Sequence, residues 1–288
     1  MASFAVVSMV RRLTGVRRVG HAGTLDPIAD GVLPICLGRA TRVVEHIVDA
    51  PKAYRGTLLL GVTTDSYDSE GAVTATADPS GVTRARVEAE LACFVGEIQQ
   101  LPPMYSALKH EGQPLYRYAR AGKTVHREPR SVSIYRMELI RFDPHEVEVR
   151  MDCGRGAYVR TVAHDLGQQL GCGAHLIKLT RLRSGPFLLE DAIELEELQA
   201  AVQNGRWEEL LSPIDRVLES WDAVLLGQQH TLEVRCGRSL LLEATRLQAP
   251  DPALDARCRA YSVSGEFLGI LRYRGGSRWK PERVFAPL

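Results

Sequence analysis

The 288 residues predict an α+β protein on three observations. Residues 146–151, Glu-Val-Glu-Val-Arg-Met, alternate polar and apolar, the period of a half-buried strand. Val87, Leu91, Phe94 and Val95 recur at i, i+4, i+7 and i+8, the spacing of one helix face. Residues 257–263 and 266–273 flank Ser264-Gly265, the pattern of a β-hairpin.

Taken in order, residues 3–14 predict a helix, with Phe4, Val7 and Val10 on one face and Met9 or Leu13 beside them. Residues 20–34 read Gly-His-Ala-Gly-Thr-Leu-Asp-Pro-Ile-Ala-Asp-Gly-Val-Leu-Pro. Their three glycines and two prolines exclude an ordinary helix or central strand and predict a fixed loop. Strands follow at 55–61 and 72–77, with Ser69-Glu70-Gly71 as a turn. The helix over 83–95 stops at Gly96. Residues 99–130 are irregular and basic. Strands at 131–142 and 145–153, a helix over 161–170 ended by Gly171, and a helix over 192–203 complete the larger part. Beyond a boundary near 212–221 the pattern turns to short strands and tight turns, which divides the chain into 1–215 and 220–288.

Composition narrows the function classes. Hydrophobic residues make up 45% and charged residues 25%, ordinary values for a globular chain. No apolar run approaches a membrane span, and Arg11 and Arg12 follow the apolar N-terminal stretch rather than precede it, unlike a signal peptide. The six cysteines are scattered with no Cys-x-x-Cys pair, which predicts neither zinc nor a disulfide framework and points to a reducing, cytoplasmic setting. No His/Asp/Glu spacing suggests a metal, and no phosphate-cradling Gly-rich motif is present. Net charge is +1, but Lys109, Arg117, Arg120, Lys123, Arg127 and Arg130 outnumber Glu111 and Glu128 within 105–130. Tyr105, Tyr116 and Tyr118 lie among them, a mixture that suits a phosphate backbone with unstacked bases.

Asp26 stands between apolar Leu25 and rigid Pro27 on the 20–34 loop. An Asp-Pro pair alone is most often a turn. A carboxylate held and shielded in this way also meets the needs of a nucleophile.

The flanking residues decide between the two. Gly20-His21-Ala22-Gly23-Thr24-Leu25-Asp26-Pro27 with Ala29-Asp30-Gly31-Val32-Leu33-Pro34 resembles the signature loop of TruB-type pseudouridine synthases. Four more blocks follow in order: Lys52-Ala53-Tyr54-Arg55, Gln100–Lys109 with its Pro102-Pro103-Met104-Tyr105-Ser106-Ala107 core, Gly156–Thr161, and Gly171–Leu176. The resemblance covers 3–215 well and the remainder loosely. Such enzymes convert one uridine of the TΨC arm of tRNA, at position 55, to pseudouridine, with no redox change and no cofactor.

The resemblance implies a mixed, mainly antiparallel sheet flanked by helices, and a small C-terminal β-rich PUA-like domain that binds RNA. It implies Asp26 as nucleophile and Arg160 as the cation that keeps it ionised. Tyr54 lies against the target base. Its phenol is a poor base at neutral pH, so stacking and a hydrogen bond are its expected roles, ahead of removing the C5 proton. Tyr158 and Leu179 wall the uracil pocket, His21 enters the gap left by the flipped base, and Asp68 contacts a neighbouring base or holds a turn. Residues 99–130 form an RNA-binding insertion. The implied partner is the TΨC stem-loop of tRNA, with no membrane and no protein partner. Family members usually open with a strand and a Lys-Pro-x-Gly-x-Thr-Ser segment. Here Ser3 falls at that final Ser, so the first strand and the Lys-Pro turn are expected to be missing. The alternatives are an RNA-guided synthase acting on ribosomal RNA and a non-catalytic tRNA-binding or folding protein.

Overall fold

The computed structural model describes residues 1–242 and 252–286. Residues 243–251 and 287–288 of the predicted C-terminal module lie outside the described residues. Two compact units emerge. One comprises Met1–Leu13, His21–Ile35 and Ile47–Glu197, and the other Thr14–Gly20, Cys36–His46 and Leu198–Leu288.

The first unit is built on one sheet. Its strands are β1 (Ala29–Gly31), β2 (Lys52–Leu60), β3 (Gly96–Gln100), β4 (Arg130–Phe142), β5 (Glu146–Cys153), β6 (Ala174–Ser184) and β7 (Phe187–Leu188). They run in the order β7-β6-β2-β5-β4-β3, all antiparallel, and β1 joins β6 in parallel. The helices are α1 (Ser3–Thr14), α2 (Arg84–Ala92), the short α3 (Leu115–Arg120) and α4 (Val159–Leu170), while most of α5 (Leu195–Gln203) belongs to the second unit. The mixed, mainly antiparallel sheet with flanking helices is the architecture the sequence predicts.

The core forms where α2 and α4 cover one face of the sheet. Val87 and Leu91 of α2 and Val162, Leu166 and Leu170 of α4 pack with Leu58, Val147, Val149, Met151 and Leu176. Two glycines allow close approach. A Cβ on Gly56 would meet Leu176 and Val159 side chains at 3.1 and 3.3 Å. One on Gly167 would fall 2.1 Å from the Ala174 amide nitrogen, so α4 lies directly on the start of β6. Gly171 ends α4 in the left-handed conformation, φ +80°, which favours glycine.

Several boundaries differ from the sequence reading. Helix α2 stops at Ala92, and Val95 turns outward, 48% exposed, because the chain has left helical geometry before reaching it. The next residues form β3, which takes in the first two residues of the 99–130 segment expected to be irregular. In α1 the stripe Ser3, Val7 and Val10 faces inward while Phe4 is exposed, since the Ser3 hydroxyl takes a hydrogen bond inside the fold. The 20–34 loop contains β1, three residues held by β6 rather than by their own propensity.

The second unit holds β8 (Ala223–Leu226), β9 (Leu240–Leu241), β10 (Arg257–Ser262), β11 (Phe267–Tyr273) and β12 (Arg278–Val284), in the order β8-β10-β11-β12-β9, with α6 (Gln228–Arg235). β8 runs parallel to β10, and the β10–β11 hairpin turns at Ser264-Gly265 as predicted. Leu226, Val234, Leu240, Cys258, Leu268 and Trp279 form its core.

Candidate active site

The loop carrying Asp26 is fastened along its length. The Ala22 amide donates to the Pro34 carbonyl at 3.0 Å and ties the two ends together. The Leu25 amide donates to Ser3 Oγ at 3.0 Å. The Asp26 carbonyl accepts from the Ala29 amide at 2.9 Å, closing a turn over Pro27. Rigid backbone on both sides therefore fixes where the Asp26 carboxylate points.

That carboxylate meets Arg160, the second residue of α4. Arg160 Nη2 donates to Asp26 Oδ1 at 3.0 Å, and Nη1 donates to Asp68 Oδ2 at 3.3 Å. The Arg160 and Asp68 side chains are each 3% exposed, whereas that of Asp26 is 29% exposed. Asp68 is secured by Ser66 Oγ at 2.5 Å and the Glu70 amide at 3.1 Å, both donating to its Oδ1. One guanidinium thus bridges two carboxylates, and only Asp26 keeps an open side.

Burial pushes the Asp26 carboxyl above the ordinary carboxylate range. Arg160 and Arg181 oppose that push and the Asp68 charge adds to it. The cation expected from the sequence is present, and it offsets desolvation only in part.

Aromatic groups border the pair. The Arg160 guanidinium lies 5.5 Å from the Tyr158 ring centroid. Tyr158 is bracketed through its backbone by Gln100, whose Nε2 donates to the Tyr158 carbonyl at 3.1 Å and whose Oε1 accepts the Tyr158 amide at 2.8 Å. Tyr54 on β2 pairs in register with Arg181 on β6, which places the Arg181 charge beside its phenol. Burial raises the Tyr54 phenol above its ordinary value, with Arg181 opposing. A phenol so placed is ionised even less at neutral pH, and stacking with a hydrogen bond suits it better.

Leu179 sits on β6 opposite both Ala29 and Gly56, buried in the core. His21 lies at the start of the loop with Nδ1 buried and without a hydrogen-bond partner. Burial first, and the Arg181 charge second, lower its pKa and favour the neutral ring. His21 and Leu179 join neither the ion pairs nor the hydrogen bonds of the Asp26–Arg160–Asp68 cluster.

Three supporting residues escaped the sequence reading as functional: Ser3, Gln100 and Arg181. Gln100 opens a motif block, and that is its only signal. Lys52, another motif residue, is buried with its Nζ donating to the carbonyls of Ile47, Val48 and Ala50, and burial lowers it to about 8. Among the described residues no group of three or more His, Cys, Asp or Glu is placed to hold a metal, and none of their helices is long and apolar enough to cross a membrane.

Such an arrangement suits a reaction run by one fixed carboxylate against a flat ring. Comparison with known proteins agrees in kind. Residues 11–159 match the TruB family pseudouridylate synthase N-terminal domain, and residues 160–225 match the tRNA pseudouridylate synthase B C-terminal domain. The tRNA pseudouridine synthase B of Stutzerimonas stutzeri (strain A1501) is 42% identical over 285 residues, covering 98% of this chain and 91% of its own. That of Thiobacillus denitrificans (strain ATCC 25259 / T1) is 44% identical over 288 residues, covering 99% and 92%. Among solved structures, a Cbf5-Nop10-Gar1 complex superposes with a TM-score of 0.76 at 25% identity, over 100% of this chain and 82% of that one. An H/ACA RNP bound to a substrate RNA containing 2'-deoxyuridine gives 0.76 at 23% identity, over the same shares, and shows the fold alone. The chain belongs to the TruB family of pseudouridylate synthases.

Proposed function

We propose that this protein isomerises a uridine of tRNA to pseudouridine, and that the uridine is the one at position 55 in the TΨC arm. The observation that carries the reading is the Asp26–Arg160 pair: a carboxylate with one open side, on a pinned loop, held by a buried guanidinium. Full-length relatives at 42–44% identity that bear the name tRNA pseudouridine synthase B support the substrate class.

In the reaction the N1–C1′ bond breaks, C5 bonds to C1′, the C5 proton leaves and N1 gains one. Asp26 is the nucleophile, Arg160 keeps it ionised, and Asp68 holds Arg160 in place. Tyr54, Tyr158 and Leu179 receive the uracil, which must leave its stack to reach them. His21 contacts the RNA beside it. Electrons and atoms balance within the substrate, so no cofactor enters.

The catalytic domain is 1–215, with 99–130 as its RNA-binding insertion, and 220–288 is a PUA-like RNA-binding domain. In the second unit Arg18, Thr41, Arg42 and Arg283 line a cavity of about 340 Å³ together with Glu45. Its excess of cations suits an RNA backbone. The working compartment is the cytoplasm.

The experiment is tritium release from C5-labelled tRNA transcript, with mass-spectrometric mapping of the product. The parent should convert position 55 of bare transcript without guide RNA, and Asp26→Asn should bind tRNA and release no tritium. Turnover by the variant would overturn the reading. A need for guide RNA would transfer it to the RNA-guided class.

A further inference from the structure

Arg181 lies in the middle of β6 and is 1% exposed. Among the described residues no carboxylate forms an ion pair with it. A buried guanidinium without a counter-ion is costly unless its hydrogens are satisfied and its charge is used. Two of its hydrogens go to the loop that carries Asp26. Nε donates to the Val32 carbonyl at 2.6 Å, and Nη2 donates to the Gly23 carbonyl at 3.1 Å. Its own carbonyl accepts the Val32 amide at 2.9 Å. One residue therefore grips the loop three positions before Asp26 and six positions after it.

The backbone is shaped to that grip. Gly31 pairs with Arg181 across β1 and β6, at φ +93°, and a Cβ there would lie 2.4 Å from the Arg181 carbonyl oxygen. Gly23 has φ +98°, and a Cβ there would stand 3.4 Å from Arg181 Nη1. Both positions have a left-handed backbone, and Gly31 adds close approach to the same arginine's backbone. On its other strand neighbour Arg181 stands in register with Tyr54, whose phenol feels its charge.

We infer that Arg181 is a positioning residue for the isomerisation: it clamps both ends of the Asp26 loop, stands cross-strand from Tyr54, and supplies a second positive charge to the site. The inference rests on the proposed activity. The charged and titratable groups facing Asp26 are Arg160 on α4, Asp68 beyond β2 and Arg181 on β6, with Tyr54 and Tyr158 beside them. Arg160 holds the carboxylate directly and Arg181 holds the backbone that presents it.

The test compares full-length Arg181→Lys and Arg181→Met with the parent by single-turnover rate across pH, tRNA affinity and hydrogen exchange of the peptide spanning 24–31. A lysine keeps the charge and has no fork to reach two carbonyls. Arg181→Lys should lower the rate by about a hundredfold, as a misplacement near 1 Å does, with tRNA affinity little changed and the acid limb of the rate profile in place. Arg181→Met should lower the rate further and move the acid limb upward. Both should speed exchange of the loop peptide. Parent-like rates and exchange in both variants would overturn the clamp, and identical acid limbs would overturn the charge contribution. If Arg181→Met does not fold, Gly23→Ala, which moves one clamped carbonyl, decides: unchanged turnover and exchange overturn the clamp. A parent without tritium release would instead sink the proposed activity, while loop exchange would still judge the clamp.

Discussion

Asp26 works against its own solvation. The folded protein holds its carboxyl above the ordinary value, so the folded state binds that proton more tightly than the unfolded chain does. Stability rises with pH only where the unfolded state binds more protons. The Asp26 contribution therefore runs the other way. It becomes unfavourable as pH rises from the ordinary carboxylate value through the raised one, and the cost disappears on acidification. Asp26→Asn, expected to be inactive, should melt no lower than the parent at pH 7.5, and any gain should shrink toward pH 4 in calorimetry. A parent melting well above the variant at neutral pH would contradict this. Legibility at this scale followed chemistry. Asp26 and Arg160 stand in motif blocks, and the structure joins them across 134 positions. Arg181 carries the same kind of charge, but one arginine in a partly apolar stretch looks like any strand residue. Its role depends on two carbonyl oxygens, and a backbone carbonyl leaves no mark on a sequence.

Among the elements, α4 and β6 carry the site, since Arg160 comes from one and Arg181 from the other. Their contact depends on Gly167, where a Cβ would fall 2.1 Å from the Ala174 nitrogen and must push the helix off the strand. Gly167→Ala should cost about 1–3 kcal/mol, the usual range for overpacking, measured by urea unfolding. Gly171→Ala, in open space at φ +80°, should cost about 1 kcal/mol through backbone strain alone. Equal stabilities for Gly167→Ala and parent would show that the contact yields freely. The helix α4 and its stop were readable, because the apolar spacing and Gly171 agree. β6 was not, because Ala174, His175 and Leu176 are all buried in succession and leave no alternation of period two. β1 is too short to have a period of its own.

Across the whole molecule, charge is local. The net value of +1 hides the basic 105–130 stretch and the arginine-lined cavity of the second unit. Binding of tRNA should weaken steeply with salt, as counterion release requires. Replacing Lys109, Arg117 and Lys123 together by Gln should reduce the slope of log affinity against log salt by about three, or one per lost phosphate contact. An unchanged slope in filter-binding titrations would place the RNA elsewhere. The β-rich character of the C-terminal part was legible from the 257–273 hairpin. The inclusion of Thr14–Gly20 and Cys36–His46 in the second compact unit was not, because these segments differ from their neighbours in neither composition nor spacing.

The place of β6 in the sheet has a consequence for biosynthesis. It pairs with β2, made some 120 residues earlier, and with β1, made earlier still. Domains governed by such distant pairings fold slowly, because loop closure must precede the contacts that reward it. On the ribosome, at about 5–20 residues per second, β2 waits several seconds, with both edges bare until β5 emerges and one edge bare until Ala174–Ser184 does. During that interval Leu58 and Leu60 lack their final cover, and the nascent chain is most open to mispairing and to chaperone capture. The enzyme's active loop is synthesised near the start of the chain, yet it acquires its clamp only when residue 181 has left the exit tunnel.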